Sequence, residues 1–262
     1  MKRYFGVLAI QLRISLASAM AYRANFLIEG VMTIAWLAVT VLPLVVLFSA
    51  RTSVAGWDAS SALIVIAYFT GLRAVLEGVV SPSLVALVEQ IRSGSFDYVL
   101  LKPVDAQVMV SASRYEPWKV FDLVLAIGLV IYAFVRRGVA PAPADVALGI
   151  VMFVAGALAM YALWIVCAAA SFWVGRLDNL IYLLGAIFDT ARWPIQVFPQ
   201  AWRVIFTFVI PIALMTTFPA MALLGRLDAP TALAALAGSA AMLVVSRMIW
   251  RAAIRSYTSA SS

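Results

Sequence analysis

Long apolar runs alternate with short polar breaks along the whole chain. Six runs hold 18 residues or more: about 26–49, 61–82, 117–135, 145–174, 179–196 and 229–250. Each can cross roughly 30 Å of hydrocarbon at about 1.5 Å per residue, so the pattern predicts six transmembrane helices. The fifth is the weakest, because Asp189 and Arg192 lie near its end. A further apolar run, 201–224, is broken by Pro211 and Pro219. It is expected to dip in and return, which makes 197–228 a re-entrant hairpin. Ahead of the first span, Phe5, Leu8, Leu12, Leu16 and Ala19 fall on one helical stripe beside Lys2, Arg13 and Arg23. That predicts an amphipathic interfacial helix over 1–25. The expected fold class is an all-α polytopic membrane protein, one transmembrane domain over 1–262.

Composition agrees with a bilayer. Mean hydropathy is +1.03 and only 12% of residues are charged, where soluble domains carry about 25%. The net charge of +7 comes from bases at the ends of apolar runs, which suits membrane anchoring and not nucleic acid. With the N-terminus inside and 201–224 returning, twelve Lys and Arg face the cytoplasm and six face outward. Both termini are therefore expected to be cytoplasmic. The start of the chain is a poor signal peptide, because Gln11 and Arg13 interrupt its apolar stretch.

Several chemistries drop out. There is no histidine, and the one cysteine, Cys167, lies in an apolar run. His-dependent nucleophilic catalysis is absent, most zinc sites are excluded, and no metal site is expected. A phosphate-binding loop needs Gly-Lys-Ser/Thr, yet none of the three lysines, Lys2, Lys102 and Lys119, follows a glycine. Neither catalysis nor ATP hydrolysis is expected on this chain.

Charges within the spans need partners. Arg73 and Glu77 are spaced to pair on one helix face. They either line a path or subunit interface, or satisfy each other near a helix end. Glu29 and Asp122 sit near span ends as snorkelling or hydrogen-bonded acids. Pro194, Pro199, Pro211 and Pro219 cluster on the outer side. Backbone broken by proline survives at membrane depth only when buried in protein or lining a cavity, which supports the hairpin.

The largest polar break is the loop 83–116. Its start continues the second span in helical character, and Ser93-Gly94-Ser95 breaks it. Asp97 is expected to cap a short turn, Tyr98 to Leu101, that Lys102-Pro103 ends. An apolar tip on a charged loop points to a partner site, or packs back on its own helices.

This loop, with a glutamate and then "RSGSFDYVLLKPV", resembles the coupling segment of ABC type-2 exporter permeases. The stretch "RWPIQVFPQAWRVIFTFVIP" is similar to that family's proline-rich turn before a re-entrant hairpin, and the order of spans matches over nearly the whole chain. The resemblance implies a permease without a fused ATPase, in a bacterial inner membrane. It implies a pair with a second permease, as homo- or heterodimer, and two separate nucleotide-binding ATPase subunits that carry ATP and Mg. The implied ATPase contacts are Glu89, Arg92, Gly94, Asp97, Leu100, Leu101 and Pro103, on a coupling helix between spans two and three. The path would carry an amphipathic or hydrophobic substrate outward. An ATP-independent secondary transporter or channel is the alternative, and a lipid-modifying membrane enzyme a third reading. A stable ATPase partner separates the first from both.

Overall fold

The computed structural model describes residues 2–21, 23–173 and 178–257. The side chains of Lys2, Arg3, Phe5, Leu8, Ala19 and Arg23, and Arg176 as a whole, lie outside the described residues. Helix α1 (Lys2–Ala21) precedes α2 (Arg23–Ala50) as a separate element. On α1, Gln11 and Ser15 are half-buried, while Leu12, Ile14 and Leu16 are exposed. A two-stranded hairpin follows, β1 (Ser53–Val54) and β2 (Trp57–Asp58). Asp58 then caps α3 (Ala59–Val75) by accepting from Ser60 N–H.

α3 runs through a π-helical turn, Leu76–Val80, into α4 (Ser81–Arg92). The continuous run Ala59–Arg92 is 34 residues, or about 51 Å at 1.5 Å per residue. It is longer than the expected 61–82 span and carries the chain well beyond a bilayer's hydrocarbon. Two short helices follow, α5 (Asp97–Leu100) and α6 (Ala106–Ser111). The return loop is fastened to this long helical run: Ser83 Oγ donates to the Arg114 carbonyl at 2.9 Å and Glu116 N–H donates to the Gly78 carbonyl at 2.8 Å.

The next spans are α7 (Val120–Arg137) and α8 (Pro143–Ala169). Residues 179–196 do not form the continuous fifth span expected. Helix α9 (Asp178–Phe188) has 11 residues, about 16 Å long. A 3₁₀ turn, Asp189–Arg192, and then Pro194 end it. The charges at Asp189 and Arg192 and the missing proline N–H explain the break. The chain still passes from one end of the bundle to the other here. Phe172 packs on Phe96 beyond α4, whereas Gln196 meets Trp57 before α3.

Beyond it, α10 (Gln200–Val204) and a π-helical turn form one arm of a bent pair, and Ala213–Leu223, ending in α11 (Phe218–Leu223), forms the other. The arms bend by 79° at Pro211. Both flanks of this pair meet one residue: Trp57 Nε1 donates to Gln196 Oε1 at 3.1 Å, and the Arg226 guanidinium lies 6.0 Å from the Trp57 ring. The chain therefore enters and leaves the bent pair at the same end of the bundle. At Gly156 of α8 a Cβ would meet Leu214 O and Met215 Cα at 3.0 Å, so glycine there admits the second arm. The last helix is α12 (Ala229–Ser256).

Five helices among the described residues are long and apolar enough to cross a membrane, six if the bent pair is one span. Ion pairs bracket the apolar slab. Arg137 pairs with Asp58 at 3.5 Å, and Lys119 with Glu77 at 2.5 Å. Asp58 and Glu77 lie 19 positions apart along α3 and its π turn, and Lys119 and Arg137 lie 18 positions apart along α7. Either spacing is about 28 Å, close to one hydrocarbon thickness.

Candidate functional site

α4 ends where Gly94 adopts φ +74°, a left-handed turn open to glycine without strain. Phe96, and not Asp97, is the N-cap of α5, and it offers no side-chain bond. The expected Asp97 cap is thus corrected: Asp97 is the first helical residue, where its charge favours the helix N-terminus. Phe96 is fully buried. Its ring centroid lies 5.4 Å from Phe172 and 5.4 Å from Tyr257, and 6.4 Å from Trp250, all edge-on. Burial, and then the adjacent Asp97 carboxylate, push the Tyr257 hydroxyl above the usual phenol range.

Seen from outside, the segment presents Tyr98 at 72% exposure, Leu101 at 79% and Leu100 at 40%. Val99 belongs to the core, so of the four apolar residues expected to fill a partner's pocket, three face out and one does not. Pro103 and Lys102 are exposed beside them. Glu89 and Arg92 form an exposed pair at 2.7 Å on the last turn of α4.

The far end of the segment is held by charge. Asp105 caps α6, accepting from Gln107 N–H at 3.0 Å and Val108 N–H at 3.3 Å. Arg247 of α12 donates from both guanidinium ends to the two Asp105 carboxylate oxygens and also to Gln107 Oε1, at 2.7 Å. Arg247 hydrogen bonds come first in holding the Asp105 carboxyl below its ordinary 3.8. Gln107 Nε2 donates to the Tyr161 hydroxyl of α8 at 3.0 Å. Ser111 donates to the Gln107 carbonyl, which leaves Tyr161 to donate to Ser111 at 2.7 Å. Sequence reasoning missed this clamp. Its signals were an arginine inside an apolar helix and an aspartate just before a short apolar-periodic run.

At membrane level, Glu29, Arg73 and Glu77 line one cleft with Lys119 and Asp122, between α2, α3 and α7. Arg73 Nε donates to Glu77 at 2.7 Å, and its other arm lies 3.5 Å from Asp189. Lys119 also reaches Asp122, at 3.4 Å. Glu77 therefore sits at the slab's edge and Arg73 one turn inside it. Glu29 makes no ion pair among the described residues. Burial, and then the Glu29 charge, push the nearby Glu116 carboxyl above its usual range.

The four singled-out prolines shape the bent pair and its approach. Pro194 precedes a 3₁₀ turn, Ile195–Val197. Pro199 caps α10, Pro211 lies at the bend, and Pro219 sits in the first turn of α11. Neighbouring side chains take up the freed backbone groups. Ile195 N–H donates to Thr217 Oγ1 at 3.1 Å, and Thr216 Oγ1 donates to the Ala191 carbonyl at 2.8 Å. Such compensation is what broken backbone needs inside a membrane. Among the described residues no group of three or more His, Cys, Asp or Glu could hold a metal.

A short loop, fixed at both ends and with an exposed apolar tip, thus ends a long helical run on a chain of apolar helices. The family model of the ABC-2 family transporter protein matches residues 34–261. The chain belongs to the ABC-2 transporter family. A search of curated proteins and a search of solved structures return no match. As an ABC-2 permease, the chain is a membrane component of an ABC transporter and associates with ATPase components. The match covers residues 93–105, the bent pair and every long apolar helix after α2, and it leaves out helix α1, the first turns of α2 and Glu29 of the charge cleft.

Proposed function

We propose that this chain is one of two permease subunits of an exporter whose path takes an amphipathic or hydrophobic substrate. Two separate ATPase subunits bind ATP with Mg and dock on residues 92–105. Their closure pushes α5, and the helical lever α3–α4 carries the push into the membrane. Glu89, Arg92, Gly94, Asp97, Leu100, Leu101 and Pro103 form the docking face. The membrane is the bacterial inner membrane, with both termini cytoplasmic, and the bent pair is a re-entrant hairpin on the outer side. The common end of its two flanks, at Trp57, supports that last reading. The balance of loop bases supports the orientation.

The observation that carries the proposal is the contrast within one four-residue helix. Val99 and the preceding Phe96 are buried, while Tyr98, Leu100 and Leu101 stand exposed. An apolar tip fixed from behind, on the end of a helix that outruns the bilayer, suits a partner's pocket. An ion-coupled carrier would want charges near the midplane. Here Glu77 and Lys119 sit at the slab's edge and are paired.

The test is native co-purification of the tagged permease with its operon neighbours co-expressed. Wild type is expected to bring an ATPase subunit, and Leu100→Asp with Leu101→Asp to lose it while remaining membrane-inserted. A properly inserted wild type that brings no ATPase would overturn the proposal.

A further inference from the structure

Resting on that reading, we infer that the coupling segment moves as one body with α12 and α8, and that Asp105 and Arg247 are the positioning residues of that link. Residues 93–105 contain a left-handed glycine and a proline. Left to its covalent ends alone, such a loop would absorb a push rather than pass it on. Two attachments prevent this, one on each side of α5. Upstream, the Phe96 ring is wedged between Phe172, after α8, and Trp250 and Tyr257 of the last helix and its cap. Downstream, Arg247 grips both oxygens of Asp105 and the side chain of Gln107, and Gln107 is in turn bonded to Tyr161 of α8. The clamp joins residues 142 apart in sequence.

α8 and α12 are packed closely against each other. Ser239 donates to the Ala155 carbonyl at 2.8 Å, and Ala232, Ala235, Ala155 and Ala159 are buried between them. Small residues at such an interface let helix backbones approach closely. A planar, bidentate guanidinium–carboxylate pair fixes direction as well as distance, so a push on α5 is delivered to α12 along a set line. The lever α3–α4 is one output of the coupling segment, and α12 is a second.

Spin-label distances test this in a Cys167→Ala background, with the permease in nanodiscs. One label pair, at Lys102 and Arg251, lies within the proposed body. A second, at Lys102 and Val31, crosses to α2. In the permease alone, the first pair is expected to give one narrow distance. Arg247→Gln broadens it by about 5 Å, one helical turn, and Arg247→Lys, which keeps the charge but not the planar fork, broadens it less. With the ATPase and a non-hydrolysable nucleotide, the Lys102–Val31 distance shifts while Lys102–Arg251 holds. If Arg247→Gln stays as narrow as wild type, or if nucleotide moves Lys102–Arg251 as far as Lys102–Val31, the link does not exist. The nucleotide-free arm decides the matter even if no ATPase binds, so failure here and failure of the permease reading remain distinct.

Discussion

Helix α2 and the proposed coupling segment, residues 93–105, are opposites. α2 is among the most apolar of the long helices, yet only 11% of its most apolar window is buried, against 72% of the corresponding window in the run Ala59–Arg92. Its large side chains, among them Val31, Trp36 and Val39, point outward, while Thr33 and Thr40 turn in. The coupling segment is short, mixed in character and broken by glycine and proline. It is nonetheless fixed by an aromatic cluster and a charge clamp. In water, apolar length would signal a core. In a bilayer, lipid satisfies apolar surface, and helices hold together through packing and polar contacts. The contacts that fix such a segment are therefore ones that a hydropathy average does not reveal.

Substitutions can break that contrast. The largest effect is expected at Phe96→Ala. Emptying a fully buried aromatic site removes its three ring partners and costs about 3–5 kcal/mol, read as a loss of thermal stability in detergent or nanodiscs. Val39→Ala, on the outward face of α2, is expected to change stability by less than about 0.5 kcal/mol in the same assay. Equal effects at the two sites would erase the distinction.

Next comes Arg247→Gln, which leaves Asp105 without its counter-ion and is expected to cost about 1–3 kcal/mol. The pH dependence has a definite sign. The Asp105 carboxyl is held below its ordinary 3.8. Its contribution is therefore fully present above that value and is lost only as pH falls through the lower, folded value. The stability gap between wild type and Asp105→Asn should stay constant from neutral pH down to about pH 5 and close below the ordinary carboxyl value. A gap that closed already near neutrality would contradict the clamp.

Smaller still is Glu116→Gln. Burial and the Glu29 charge raise the Glu116 carboxyl, so its ionised form is disfavoured in the fold. Removing the charge is expected to be neutral or stabilising at neutral pH, by less than about 0.5 kcal/mol, and the benefit should shrink as pH falls and Glu116 protonates.

Five of the six expected spans coincide with long apolar helices, because each depends on a local run of apolar residues. The pairing of Arg73 with Glu77 was legible from their spacing on one helix. The halting of α9 was foreshadowed by Asp189, Arg192 and Pro194, but a window of apolar residues averaged over them. The Asp97 cap was misjudged because Phe96 joins the turn as its cap, held from behind by rings distant in sequence. The Asp105–Arg247 clamp was missed for the same reason. Its members carry local signals, an acid before a short helix and an arginine inside an apolar helix, but neither signal names its partner. Only the folding of α12 against the loop brings them together.

The central claim is that the exposed tip of α5 meets the ATPase. A photo-crosslinking amino acid placed at Leu101, and separately at Trp36 on α2, tests it in the assembled transporter. The account predicts a crosslink from Leu101 to an ATPase subunit and none from Trp36. A complex that keeps its ATPase yet gives no ATPase adduct from Leu101 would contradict it.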